Sequence, residues 1–204
     1  FGIIAISATF VVTLGEIDLS FPSIVGITSL TFGMLLTSTD GNFFISFVLA
    51  TSLGMFAGLI NGLLVTKIGI PSIVATIGTL YFWRGLVNVI SQGSGIAIVD
   101  VADGTWHHTL FVEKLFGKIP AQFIWFIVLT ALMQWFYRYH KFGNHIHFVG
   151  DNKASAQMMG INVDLVKIIA FVQLGFFSAL AGIFTMYEML YFWPTQGSGL
   201  MLTT

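Results

Sequence analysis

Apolar residues fall into six long blocks along this chain: Phe1 to Leu14, Phe21 to Leu36, Phe43 to Val65, Ile73 to Ile90, Ala121 to Tyr137 and Ile168 to Tyr187. Polar or Gly/Pro-bearing joints separate them. A transmembrane β-strand would need about 10 residues of apolar/polar alternation, and the blocks are continuously apolar instead. Most are long enough to carry a helix across about 30 Å of hydrocarbon. The pattern therefore predicts an all-α, polytopic bundle of transmembrane helices. We read residues 1–204 as one membrane domain, because no fixed-period repeat, low-complexity tract or flexible linker divides them.

Composition closes off the alternatives. Hydrophobic residues make up 56% of the chain and charged ones 8%, whereas a soluble domain carries roughly a quarter charged residues. With a mean hydropathy of +0.90, a soluble fold could not cover its own apolar surface. Eight Lys and Arg against nine Asp and Glu leave no basic surface for nucleic acid. Cysteine is absent, which excludes disulfides, thiolate catalysis and Cys-ligated metals. Phe1 is not an initiator Met and no basic stretch precedes the first apolar block, so the start is not read as a signal peptide but as part of a longer chain.

Basic loops stay on the cytoplasmic side. The stretch 138–167 carries Arg138, Lys141, Lys153 and Lys167 and is placed inside. Counting back puts 91–120 outside, 67–72 inside and 39–42 outside. The external stretch, with Trp106 as an interfacial anchor, is expected to form a small cap.

Two features concern helix geometry. Ala50, Gly54, Gly58 and Gly62 recur every four residues and form one small-residue stripe that lets another backbone approach closely. The stripe serves either a contact that moves or static packing. Asn61 lies beside it and needs a partner wherever it is buried. Gly15 and Pro22 bracket Glu16, Asp18 and Ser20 between two short apolar blocks. A carboxylate facing lipid at mid-membrane costs about 2.5 to 3.5 kcal/mol. These residues therefore mark either a broken helix beside a translocation pathway or a cytoplasmic turn with Pro22 in the first turn of the next helix. Arg84 is the lone charge between Ile73 and Ile90. It must find a carboxylate, carbonyls or water, as a structural anchor or as a pathway residue.

His107 and His108 fall outside and His140, His145 and His147 inside, so they do not converge on a metal. Gly117-Lys118 is followed by Ile119 and lacks the upstream glycine of a phosphate-binding loop, and this chain is not expected to hydrolyse ATP. No nucleophile, base and orienting group come together, which disfavours a membrane enzyme.

The most specific segment follows Phe142 to Val149. In it Gly150, Asp151 and Asn152 lead into Lys153 to Met159, and then Gly160. Asp151 or Asn152 would cap a short helix and Gly160 would end it. Its small or flexible side chains, from Ala154 and Ala156 to Met158 and Met159, suit docking to a partner or lying on the membrane interface.

At this loop the sequence resembles the permeases of ribose- and xylose-type ABC sugar importers, with branched-chain amino acid transporters as distant relatives. The resemblance runs over essentially the whole chain. It includes Gly15 to Ser20, Asn61 to Lys67, Ile73 to Leu80, Arg84-Gly85, Phe142-Gly143, Gly150 to Asn152 and Ala154 to Val163. It implies a multi-pass protein of the bacterial inner membrane that works as a homodimer. It further implies cytoplasmic ATPase subunits that hold ATP and Mg, no cofactor on this chain, and an external solute-binding protein that delivers a sugar. The resemblance favours Glu16 and Asp18 on the translocation pathway, with Ser20, Asn61 and Arg84 as further candidates for it. Gly150, Asp151, Asn152, Ala154, Ala156, Met159 and Gly160 match the segment that docks on the ATPase, with Ala156 and Met159 expected in an apolar groove. Three departures stand out: Glu16 where the family has Gly, Asn144-His145 at the start of the loop, and an end at Gly197 to Leu200 where relatives continue. The solute stays open among ribose, other pentoses, hexoses, cyclitols and a furanosyl signal. Against ATP-driven import stand an ion-coupled transporter in which Glu16 or Asp18 titrates and a non-transporting scaffold built on the glycine stripe.

Overall fold

Each apolar block becomes a helix in the computed structural model, which describes residues 2–115 and 119–198. Phe1, the Gly117-Lys118 pair and the Gly199-Leu200 end fall outside the described residues. Helix α1 covers Gly2–Thr13, α2 Phe21–Ser38 and α3 Phe43–Leu63. A five-residue π-helical turn, Leu64–Ile68, extends α3, and α4 covers Ser72–Ser91. The expected external segment holds small elements only: β1 (Ile96–Ala97), α5 (Val99–Ala102), α6 (Trp106–Phe111), β2 (Lys114–Leu115) and β3 (Ile119–Pro120). Helix α7 spans Ala121–Tyr139, α8 Lys141–Asp151, α9 Lys153–Met158 and α10 Val163–Met189, and β4 is Tyr191–Phe192. β1 pairs antiparallel with β4, and β2 with β3.

Among the described residues, four helices are long and apolar enough to cross a membrane: α2, α3 with its π-helical turn, α4 and α10. α1 has 12 residues. Local chemistry sets the helix ends. Asn42 accepts a hydrogen bond from the Ile45 N–H at 3.2 Å, and Asn162 one from the Leu165 N–H at 3.0 Å, each satisfying an orphan donor of a first turn. Gly69, at φ 81, closes the π-helical turn in the left-handed conformation open to glycine.

α10 is the central element. Its 27 residues reach about 40 Å at 1.5 Å per residue, and it packs against α1, α2 and α3. The small-residue stripe lies against it. A Cβ at Gly54 would stand 2.7 Å from Ala179 Cβ, one at Gly58 would strike the Phe171 carbonyl, and one at Gly62 would meet Ile168. Ala50 is fully buried on the same face. On another face of α10, Gly182 touches Ser29 and Val25 of α2.

These contacts fix helix directions. Gly2 packs on Phe126, near the start of α7, and Thr13 meets Tyr137, near its end, so α1 runs with α7. α2 runs with α10, since Ser29 lies beside Gly182 and Gly33 beside Met186. The shared cavity of Ile3 with Phe184 and Glu188 places the start of α1 near the end of α10. The chain therefore reverses between α1 and α2. Of the two readings open in the sequence, an interrupted crossing is replaced by a turn, with Pro22 in the first turn of α2. Leu14 to Ser20 lies at the same end of the bundle as Ser72 and Lys167, to which it bonds.

α8 is a second difference. The sequence pattern makes Phe142 to Val149 a lead-in, yet it is helical, with Phe142, Ile146 and Val149 buried at i, i+4 and i+7. His140 caps it by accepting from the Phe142 N–H at 3.2 Å.

Candidate functional site

Asp18, Ser20 and Asn61 form one buried network at the turn. Asp18 Oδ1 accepts from the Ser20 backbone N–H at 2.6 Å and the Ser20 hydroxyl at 2.7 Å. Asn61 Nδ2 donates to Asp18 Oδ2 at 3.1 Å and to Ser20 Oγ at 2.7 Å. Thr79 Oγ1 donates to Asn61 Oδ1 at 2.7 Å. The turn's backbone is held by the same helix, for Ile17 N–H donates to Ser72 Oγ and Leu19 N–H to Thr76 Oγ1, both at 3.1 Å. A polar stripe at i, i+4 and i+7 on α4 (Ser72, Thr76, Thr79) thus docks a turn from far away in sequence. That spacing is the available signal for these three residues, which the sequence reading divides between the 67–72 loop (Ser72) and the apolar block Ile73 to Ile90 (Thr76 and Thr79). Thr79 also borders an apolar groove of about 350 Å³ lined by Leu64, Val74, Gly78 and Phe82.

Glu16 points elsewhere. Its Oε1 accepts from Lys167 Nζ of α10, and Lys153 Nζ of α9 stands 3.7 Å from the same oxygen. Glu16 and Lys167 are each 8% exposed. Burial alone would raise the Glu16 carboxyl, but the Lys167 ammonium, the Ser72 hydroxyl and the Lys153 charge together hold it below its ordinary value. Two cations on one carboxylate make this the charge centre of the turn. The sequence shows Lys167 only as a cation beside an apolar block.

Arg84 finds carbonyls rather than an acid. Its Nη1 donates to the Pro194 and Gln196 oxygens at 3.1 and 2.9 Å, and its Nη2 to Pro22 O at 3.3 Å. It ties the turn after β4 to the first turn of α2. The structure thus joins Asp18, Ser20 and Asn61 directly, places Arg84 at the first turn of α2, and sets Glu16 apart against α9 and α10.

The short helix takes the expected form. Asn152 Oδ1 accepts from the Ser155 N–H at 3.0 Å, and Gly160, at φ 79, ends α9 while Ile161 N–H bonds Ala156 O at 3.0 Å. A Cβ at Gly150 would meet the Thr13 carbonyl, so this glycine lets α8 lie against the end of α1. Asp151, Ala154 and Met159 are exposed. Ala156 is the correction: it is fully buried in the chain's own core, because α9 turns that face toward the bundle. The face turned outward instead carries Met158 and Met159, at 83% and 61% exposure.

Among the described residues no group of three or more His, Cys, Asp or Glu converges as a metal site. His107 is instead buried between α6 and α10, its Nδ1 2.9 Å from both Thr105 Oγ1 and Tyr187 Oη. The arrangement offers polar joints between helices and a presented surface helix.

Comparison with known proteins agrees with this architecture. A family profile described as "Branched-chain amino acid transport system / permease component" matches residues 1–204. The autoinducer 2 import system permease protein LsrC of Yersinia pseudotuberculosis serotype O:3 (strain YPIII) is 37% identical over 199 residues, 97% of this chain and 55% of the relative. The LsrC protein of Yersinia pestis (strain Pestoides F) is similar to the same degree, 37% over 199 residues with the same coverage. The chain thus spans about half the length of the curated relatives it matches. No solved structure matches it significantly. With every apolar block helical and the profile covering the chain from end to end, the protein belongs to the family of branched-chain amino acid transport system permease components.

Proposed function

We propose that this chain forms membrane-spanning helices of an ATP-driven importer in the bacterial inner membrane, carrying a small polar solute of the sugar type. The observation that carries the reading is α9: a capped, two-sided helix whose Met158 and Met159 face outward at the end where Lys-bearing loops collect, while Ala156 roots it in the bundle. Flexible apolar side chains suit a partner that changes shape. In this reading cytoplasmic ATPase subunits, carrying ATP and Mg, dock on α8 and α9, and an external solute-binding protein loads a pair of permeases. Asp18, Ser20, Asn61 and Arg84 stand beside the pathway, where the network reaches the α4 groove at Thr79. Similarity to autoinducer 2 import permeases favours that signal among the candidate solutes.

The test is reconstitution of the permease in proteoliposomes with its ATPase and solute-binding protein. Uptake of autoinducer 2, ribose and xylose is measured with and without ATP. The expected outcome is uptake of one of them that needs ATP and the binding protein. Uptake that survives removal of the ATPase but collapses with an ion gradient would assign the chain to secondary transport, and no flux with every partner present would make it a scaffold. Charge pairing of Glu16 with two lysines, and donors on both Asp18 oxygens, argue against a freely titrating relay at either position.

A further inference from the structure

Glu16 occupies the only point where the turn before α2, the central helix α10 and the start of α9 share one charged atom among the ion pairs of the described residues. We propose that Glu16 is a positioning residue that passes displacement of the partner-docking helix α9 to the turn leading into α2, through its shared contact with Lys153 and Lys167. This rests on the reading of α9 as the ATPase-docking helix.

Electrostatics and geometry both assign Glu16 this role. Lys153 is the first residue of α9, directly after its cap Asn152, and its stem is more than half exposed, so it moves with α9. Lys167 is buried in the second turn of α10, where an ammonium is costly unless paired. Glu16 is the one carboxylate between them. Without it, two ammoniums face each other across a partly dry gap, and like charges there repel. Glu16 therefore does two things at once: it neutralises Lys167, and it pulls the start of α9 against the bundle. On its other side, Ile17, Asp18 and Leu19 follow, and they are bonded in turn to Ser72 of α4, Asn61 of α3 and Thr76 of α4. A shift of α9 pulls on Glu16, and the turn it belongs to is tied to α3 and α4 and, through Asn61, to Thr79 at the edge of the α4 groove.

The two functions separate by mutation. Lys153→Gln cuts the link to α9 and leaves the buried Glu16–Lys167 pair whole. Glu16→Gln removes both. Each variant is assembled with the ATPase and solute-binding protein in proteoliposomes, and two quantities are read. The first is the stimulation of ATP hydrolysis by the solute-binding protein. The second is the distance between spin labels at Ile17→Cys and Ala154→Cys, both exposed, with and without trapped nucleotide; the chain has no native cysteine to interfere. Expected for Lys153→Gln is unchanged thermal stability, a loss of stimulation of about five-fold, the lower end of ordinary coupling between sites, and a broadened label distance. Glu16→Gln is expected to lose more. If Lys153→Gln keeps full stimulation and a narrow distance in both nucleotide states, the proposal is overturned, and that holds even if Glu16→Gln fails to fold. Failure of the docking reading of α9 looks different: the unmutated permease would then show no stimulated ATP hydrolysis at all.

Discussion

Asp18 is buried without a cation, yet both its oxygens have donors, which is the condition under which a buried carboxylate is tolerated. Removing the charge is therefore different from removing the acceptor. In Asp18→Asn the retained oxygen still receives the Ser20 N–H and hydroxyl. The new NH₂ faces the Asn61 amide, which cannot turn over without giving up its own donation to Ser20 Oγ, so one hydrogen bond is lost and thermal unfolding in detergent should change by about 1 kcal/mol. Asp18→Leu keeps the volume but strands the Ser20 N–H and the Asn61 amide, and should cost about 1–3 kcal/mol. Equal losses in the two variants would mean that the charge itself is required. Glu16 gives a pH signature of definite sign. Its folded carboxyl sits below the ordinary value of 4.5, so its stabilisation is complete above that pH and is lost as pH falls through the depressed folded value. Burial shifts Asp18 the opposite way. The informative quantity is thus the difference in unfolding temperature between wild type and Glu16→Gln, expected to be constant from pH 7 to about 5 and to shrink below the ordinary glutamate range. A difference independent of pH down to acid unfolding would show that Glu16 acts by packing rather than by charge.

At the scale of elements, the glycines of α3 and α4 are not equivalent. A Cβ at Gly58 would meet the backbone of Phe171 and Val172, whereas one at Gly78 would meet nothing within 4 Å. Backbone cannot swing aside as a side chain does. Gly58→Ala should therefore push α3 from α10 and cost about 1–3 kcal/mol, with lower yield of folded protein. Gly78→Ala should be neutral or stabilising by about 0.5–1 kcal/mol, the ordinary helix preference for alanine. Unfolding of both variants in the same detergent decides this, and an unaffected Gly58→Ala would show that the close approach of α3 to α10 is not required. The stripe itself is legible in sequence because a four-residue period of small side chains is a local pattern. So are the helices, with limits that follow from pairing. The last apolar block starts at Ile168, but α10 begins at Val163, because Asp164 and Lys167 break the apolar pattern while being paired with Lys67 and Glu16. α8 escapes a sequence reading although Phe142, Ile146 and Val149 carry a helical period, since Gly143 and Gly150 read as loop. Both glycines are there for close backbone approach, to Tyr137 and Thr13 respectively, which only the tertiary structure displays.

For the whole molecule, the site is legible in parts that no local pattern connects. Glu16 meets Lys167 across 151 positions and Asn61 meets Asp18 across 43, so their partnership depends on the reversal between α1 and α2, which an apolar count does not determine. Helix α9 is legible as a helix, from its cap and its terminal glycine, but not in which face it shows. That distinction separates two substitutions that look alike in sequence. Ala156→Asp places a carboxylate in the chain's own core, at a cost on the order of several kcal/mol, and should reduce insertion and folding before any assay of transport. Met159→Asp places the same charge on an exposed position at the end of α9 and should leave thermal stability within about 0.5 kcal/mol of wild type. It should nonetheless abolish ATP-dependent uptake, because a charge without a partner in an apolar docking groove opposes binding of the ATPase. The measurement pairs detergent unfolding with pull-down of the ATPase by each variant. A stable Met159→Asp permease that still captures the ATPase and imports normally would remove the outward face of α9 from the docking surface, and the methionines would then rest on lipid headgroups, the setting in which an exposed apolar face on a short helix also finds cover.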